Sequence, residues 1–114
     1  MFSSIPDWAK SLNCAITVCD RNGIILYMNE KSQRTFEKWG GKDLIGKSLF
    51  DCHGQRSIDI IHRLMNNNES NAYTIEKNGI KKLIYQTPWH QDGEVAGMVE
   101  FSIELPAEMP HFVR

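Results

Sequence analysis

The sequence predicts an α+β domain: a five-stranded antiparallel sheet with short helices on one face and a flanking helix at the N terminus. Three observations carry that prediction. Apolar, branched runs flank Asp20-Arg21-Asn22-Gly23, Asn78-Gly79 and Asp92-Gly93. Turns of this composition join antiparallel strands, because Asn, Asp and Gly tolerate positive φ. Between the first hairpin and the last three strands, Gly40-Gly41, Gly46 and Gly54 divide the chain into short helical pieces. In the last strand Val95, Gly97, Val99, Phe101 and Ile103 alternate with Glu94, Ala96, Met98, Glu100 and Ser102, one side apolar and the other mixed, as in a half-buried strand.

In chain order, Ile5, Trp8, Ala9 and Leu12 recur at helical spacing and form one apolar stripe. Ser4 and Asp7 have the spacing of a capping pair. So short a helix is marginal alone, so residues 1–13 are expected as an amphipathic helix seated on a sheet, its own or a partner's. The first hairpin pairs 14–20 with 24–28. Asn29 then precedes the helical run 30–39; Asn is a favoured N-cap, and Glu30 suits the positive end of the helix. As an ordinary cap, Asn29→Ala would cost about 1 kcal/mol. Asp43-Leu44-Ile45-Gly46 and residues 48–53 are expected as single turns. Ile58, Ile61, Leu64 and Met65 share one face of a helix over 57–67, which Asn66-Asn67-Asn68 ends. Strands over 72–77, 80–90 and 94–103 follow, and Pro106 and Pro110 keep a long helix out of the tail, 105–114.

The 114 residues suffice for one domain. Thirteen basic and fourteen acidic side chains give a formal charge of -1, with no electrostatic footprint for nucleic acid or an anionic membrane. No apolar run reaches the roughly 18 residues of a membrane span, and no secretory leader is visible. Cys14, Cys19 and Cys52 are an odd set without a C-x-x-C pair, expected as reduced thiols in a cytoplasmic protein.

Asp20-Arg21-Asn22-Gly23-Ile24-Ile25-Leu26-Tyr27-Met28-Asn29 resembles the first hairpin of the PAS family of sensory domains, with its D-x-x-G turn and closing Asn. Leu44-Ile45-Gly46-Lys47 resembles that family's L-I-G-K stretch, and Asp92-Gly93-Glu94-Val95-Ala96-Gly97 its final D-G-x-x-x-G hairpin. The resemblance covers residues 14–104 and implies a PAS core there. It implies a sensory or regulatory domain that binds a small ligand between helices and sheet, or a protein partner. The alternative is a dimerisation or adaptor module whose core is solid; cavity volume separates the two. Ser102-Ile103-Glu104 departs from the family's usual Asp-Ile-Thr ending. Cys52-His53-Gly54 resembles the Cys-His-Pro motif of a PAS subgroup, with glycine in place of proline.

Four residues are candidates for a pocket. Gln86, if it points inward, is the amide best suited to hydrogen-bond a ligand. Cys52 and His53 carry soft and basic atoms, although neighbouring side chains rarely converge on one ion, and no metal site is expected. His53 suits equally a terminal residue bonding the last carbonyls of a helical turn. His62 lies on the helix where haem-sensing PAS domains carry their histidine, at the edge of the apolar face. Light-sensing PAS domains place their reactive cysteine where this chain has Leu49. Haem and flavin are therefore the alternatives to an expectation of no cofactor in the purified protein. No G-x-S-x-G, H-E-x-x-H or phosphate-binding loop is present, which argues against an enzyme. The stripe Ile5, Trp8 and Leu12, together with the outer sheet face, is expected to form a homodimer, each large side chain adding roughly 1.5–3 kcal/mol on full burial.

Overall fold

A computed structural model describes residues 6–51 and 53–114. Its strands are β1 (Ala15–Asp20), β2 (Ile25–Met28), β3 (Asn71–Lys77), β4 (Ile80–Gln91) and β5 (Glu94–Glu104), and its α-helices α1 (Glu30–Thr35) and α2 (Gln55–Asn67). Three single 3-10 turns, Glu37–Trp39, Gly41–Leu44 and Leu49–Asp51, connect the two helices. All strand pairs are antiparallel, in the order β2-β1-β5-β4-β3. The chain enters and leaves the helical segment at opposite edges of the sheet, so the helices must cross one face.

The hairpins follow from their turns. Asn78 and Gly79 have φ of 55° and 79°, and Asp92 and Gly93 have 53° and 81°. These are the paired positive dihedrals of two-residue turns that match strand twist. In the first hairpin the Asp20 carboxylate accepts from the amides of Asn22 (2.9 Å) and Ile24 (3.0 Å). The free edge of β2 is covered by the chain at 46–49: Gly46 N donates to Ile25 O, Ile25 N to Lys47 O and Leu49 N to Gly23 O, at 2.8–2.9 Å. This satisfies backbone groups that would otherwise invite another strand.

The helix expected over 1–13 is not formed in the described part of that stretch, residues 6–13. Residues 8–11 are turns, with bonds from Lys10 N to Asp7 O and from Leu12 N to Ala9 O. The reason is competition for carbonyls. Asn29 Nδ2 donates to Ala9 O at 2.9 Å and Glu30 N to Lys10 O at 3.0 Å, taking acceptors that α-helix continuation would use. Ala9 is buried, while Trp8 is 70% and Leu12 38% exposed, so the apolar stripe is split. The Asp7 carboxylate accepts from Ala9 N and from the Tyr27 hydroxyl, the latter at 2.9 Å. Desolvation and that bond push the Tyr27 pKa up to about 12. Ser4 and Ile5 lie outside the described residues.

Two apolar clusters lie between helices and sheet. Ile61, Leu64 and Met65 of α2 cluster with Cys19 and Met98 of the sheet, and Leu44 of a 3-10 turn clusters with Ile25 and Met28 of β2. A half-buried strand ordinarily turns its apolar side to the core. In β5 the side under the helices is the mixed one: Met98 faces Cys19 and joins the α2 cluster, and Glu100 and Ser102 continue that face. Val99, Phe101 and Ile103 look outward and are half-buried. A register shift between Trp89 and His90 breaks the alternation near Ala96, so that Val95 also packs against the core.

Candidate functional site

One row of residues crosses the inner face of the sheet. Asn71 pairs with Gln86, Gln86 with Glu100, Glu100 with Thr17, and Thr17 with Met28. Cross-strand neighbours on one face stand about 4.5–5.5 Å apart, so these side chains reach each other. Asn71 Nδ2 donates to Gln86 Oε1 at 3.1 Å, and Gln86 Nε2 donates to Glu100 Oε1 at 2.9 Å. At the far side Thr17 Oγ1 and the buried Ser32 Oγ are 2.6 Å apart, which ties the row to α1.

Above this row lies a cavity of about 670 Å³, walled by the sheet and by Phe36, Leu44, Leu49, Ile60 and Ile61. Its size suits a small organic molecule, and its lining combines an apolar majority with a few polar groups, as ligand sites do. The cavity extends to the β3 edge, where Tyr73 and Ile75 are 44% and 40% exposed. Desolvation raises the Glu100 pKa, against the opposing effects of the Gln86 bond and the nearby His53. Tyr73 is raised as well, by desolvation and then by the Glu100 charge.

The four residues singled out from sequence are placed differently. Gln86 lines the cavity and bonds on both sides. His53 lies at the cavity wall, its Nδ1 2.7 Å from Leu49 O, the contact of a residue following a helical turn. His62 does not reach the cavity. Ile60 and Ile61 take the inward positions of α2, which turns His62 out to solvent, where its ring lies 4.8 Å from that of Phe50. A haem held through His62 does not fit this geometry. Cys52 lies outside the described residues. Cys14 and Cys19 are free thiols, and burial raises the pKa of Cys19. Among the described residues no group of His, Cys, Asp or Glu has a metal-binding arrangement. Glu100, Asn71 and Thr17 were not singled out from sequence.

The sequence matches a family model described as the PAS fold over residues 9–108. The chain belongs to the PAS family. Solved structures agree on the fold at low identity. The Vibrio cholerae Aer2 receptor, described as a dual PAS-heme oxygen sensor, is 15% identical, with a TM-score of 0.63 over 82% of this chain and 95% of that one. The PAS domain of the histidine kinase ThkA is 17% identical, with a TM-score of 0.66 over 81% of this chain and 99% of that one. VqmA bound to DPO is 19% identical, with a TM-score of 0.66 over 86% of this chain and 54% of that one. No curated protein sequence matches the chain. No helix among the described residues is long and apolar enough to cross a membrane.

Proposed function

We propose that this PAS domain is a cytoplasmic sensor module that takes a small organic ligand into the cavity between helices and sheet. Its core is residues 14–104, with 1–13 and 105–114 as flanking segments. The observation that carries this reading is the cavity of about 670 Å³ with a hydrogen-bonded polar row across its floor. A solid core would have favoured a pure adaptor. VqmA, described as bound to DPO, lends support by analogy of fold. Signalling is by population shift: a ligand that prefers one arrangement of sheet and helices changes the outer sheet face, where a partner docks. The module acts by binding, without a catalytic step.

Self-association is the second part of this reading, supported by the outward apolar side chains Val99, Phe101 and Ile103 and by exposed Trp8. A Vibrio cholerae VqmA structure is described as a dimer. Native mass spectrometry of the protein purified from its own host tests both parts. The expected result is a dimer carrying a small molecule, and loss of that molecule from Ser102→Phe, which fills the cavity floor. A monomer free of bound mass, with cavity amides unchanged in cell extract by NMR, would defeat the reading.

A further inference from the structure

The polar row has a direction. Asn71 Nδ2 donates to Gln86 Oε1, which holds the Gln86 amide so that its Nε2 donates to Glu100 Oε1. Each amide spends an N–H on its neighbour toward β5, and the row ends in a carboxylate, a group that when ionised only accepts. Asn71 and Gln86 are positioning residues; Glu100 is the terminus that a ligand meets. Among the described residues Glu100 has no ion-pair partner. Beyond this row most of the cavity lining is apolar, including Met98, two residues before Glu100 on β5, and Ile60 and Ile61 of α2. We propose that Glu100 selects the ligand, and that the ligand class is a compact organic cation carrying N–H donors, amidinium- or ammonium-like, on an apolar body. This rests on the cavity being a ligand site.

The chemistry favours a cation over its alternatives. A donor-bearing cation restores to the carboxylate what desolvation removed, and charge-assisted bonds of this kind are about twice as strong as neutral ones. An acceptor-only anion would meet Glu100 across a low-dielectric gap and be repelled. His53, also at the cavity wall, is close enough for its charge to act on Glu100, and its Nδ1 is already engaged by Leu49 O. Lys77 and Lys82 also border the cavity, but Lys82 lies four residues along β4 from Gln86, about 13 Å at strand rise. Lys82 stands opposite Glu104 in the ladder, at the end away from the polar row. The two lysines therefore mark the mouth, and Glu100 the floor.

Three isosteric probes separate these possibilities: benzamidine, which only donates and is cationic; benzamide, which donates and accepts; and benzoate, which only accepts and is anionic. Each is titrated into the full chain and followed by the backbone amide shifts of Thr17, Gln86, Glu100 and Ser102. The expected order of affinity is benzamidine, benzamide, benzoate, with at least tenfold between first and last. Glu100→Gln, near-isosteric, should erase the preference for benzamidine over benzamide. Benzoate binding as tightly as benzamidine to the wild-type chain overturns the assignment without any variant. A benzamidine preference that survives in Glu100→Gln overturns it too. In either case the cavity still binds and only the selectivity of Glu100 is lost. If none of the three probes moves an inner-face amide, the cavity reading itself fails and this inference with it.

Discussion

Asn29 is a buried knot as well as a helix cap, and its replacement should cost more than a cap is worth. Its Oδ1 accepts from Ser32 N at 3.0 Å, the cap bond, and from Ile16 N at 2.9 Å. Its Nδ2 donates to Ala9 O and to Cys14 O, both at 2.9 Å. Four backbone groups from three segments thus depend on one amide that is 1% exposed. A cap alone is worth about 0.5–2 kcal/mol. Leaving two buried amide donors without partners costs about 1–3 kcal/mol each, so Asn29→Ala should cost roughly 2–6 kcal/mol. Asn29→Ser discriminates between the readings. Serine caps as well as asparagine, so a simple cap predicts little change. The knot predicts a loss of at least about 2 kcal/mol, because serine cannot hold Ile16, Ala9 and Cys14 together. Urea unfolding, followed by the midpoint at constant slope, measures the difference. A serine variant within about 0.5 kcal/mol of wild type, the range of an ordinary surface change, would refute the reasoning.

Three further outcomes are expected. A Cβ at Gly97 would run into the Cys19 carbonyl oxygen and lie 2.7 Å from Trp89 Nε1, which donates to that oxygen at 2.9 Å; Gly97→Ala should destabilise by about 1–3 kcal/mol and change the Trp89 fluorescence on thermal unfolding. Because the folded pKa of Glu100 lies above its ordinary 4.5, its cost is absent at lower pH, grows as pH rises through the folded value and is constant above; Glu100→Gln should therefore gain stability over wild type with rising pH, and a difference flat from pH 4 to 8 would contradict this. Trp8→Glu with Leu12→Glu, at side chains 70% and 38% exposed, should give a folded monomer in sedimentation, and a surviving dimer would place the interface elsewhere; linkage requires that any ligand weakened by this change itself promotes dimerisation by the same factor.

The elements were legible in the sequence because their punctuation is local. Asn78-Gly79 centres β3 and β4 so that Asn71 meets Gln86, and Asn68, with φ of 52°, ends α2 where the run of asparagines stands. What escaped depends on distant partners. The stripe at 5–12 has helical period, but Asn29 and Glu30 take its carbonyls. The polar row was hidden by one residue. Carried unbroken from Gln91 opposite Glu94, the ladder would set Gln86 against outward-facing Val99; the shift between Trp89 and His90 sets it against Glu100. Pro88, one residue before that shift, was the available signal, because proline inside a central strand has no ladder donor and belongs at a bulge.

The inverted sheet explains how cavity and surface can share one structure. A polar residue can face inward at low cost when its neighbours on the same face satisfy it, as Asn71, Gln86 and Glu100 do. That frees the alternate positions to be apolar and to face out. The two sets interleave along the same strands: Tyr85 and Thr87 flank Gln86, and Val99 and Phe101 flank Glu100. Because successive side chains point to opposite faces, no residue separates the cavity floor from the outer surface. A ligand that draws Glu100 away from Gln86 and shifts β5 with it also moves the backbone that presents Val99 and Phe101. Packed faces do not absorb such shifts by compressing. The coupling then needs no long pathway of side chains, only a strand with one edge in each environment, and this favours a binding event in the cavity over one in the exposed helical turns as the input that the outer face reports.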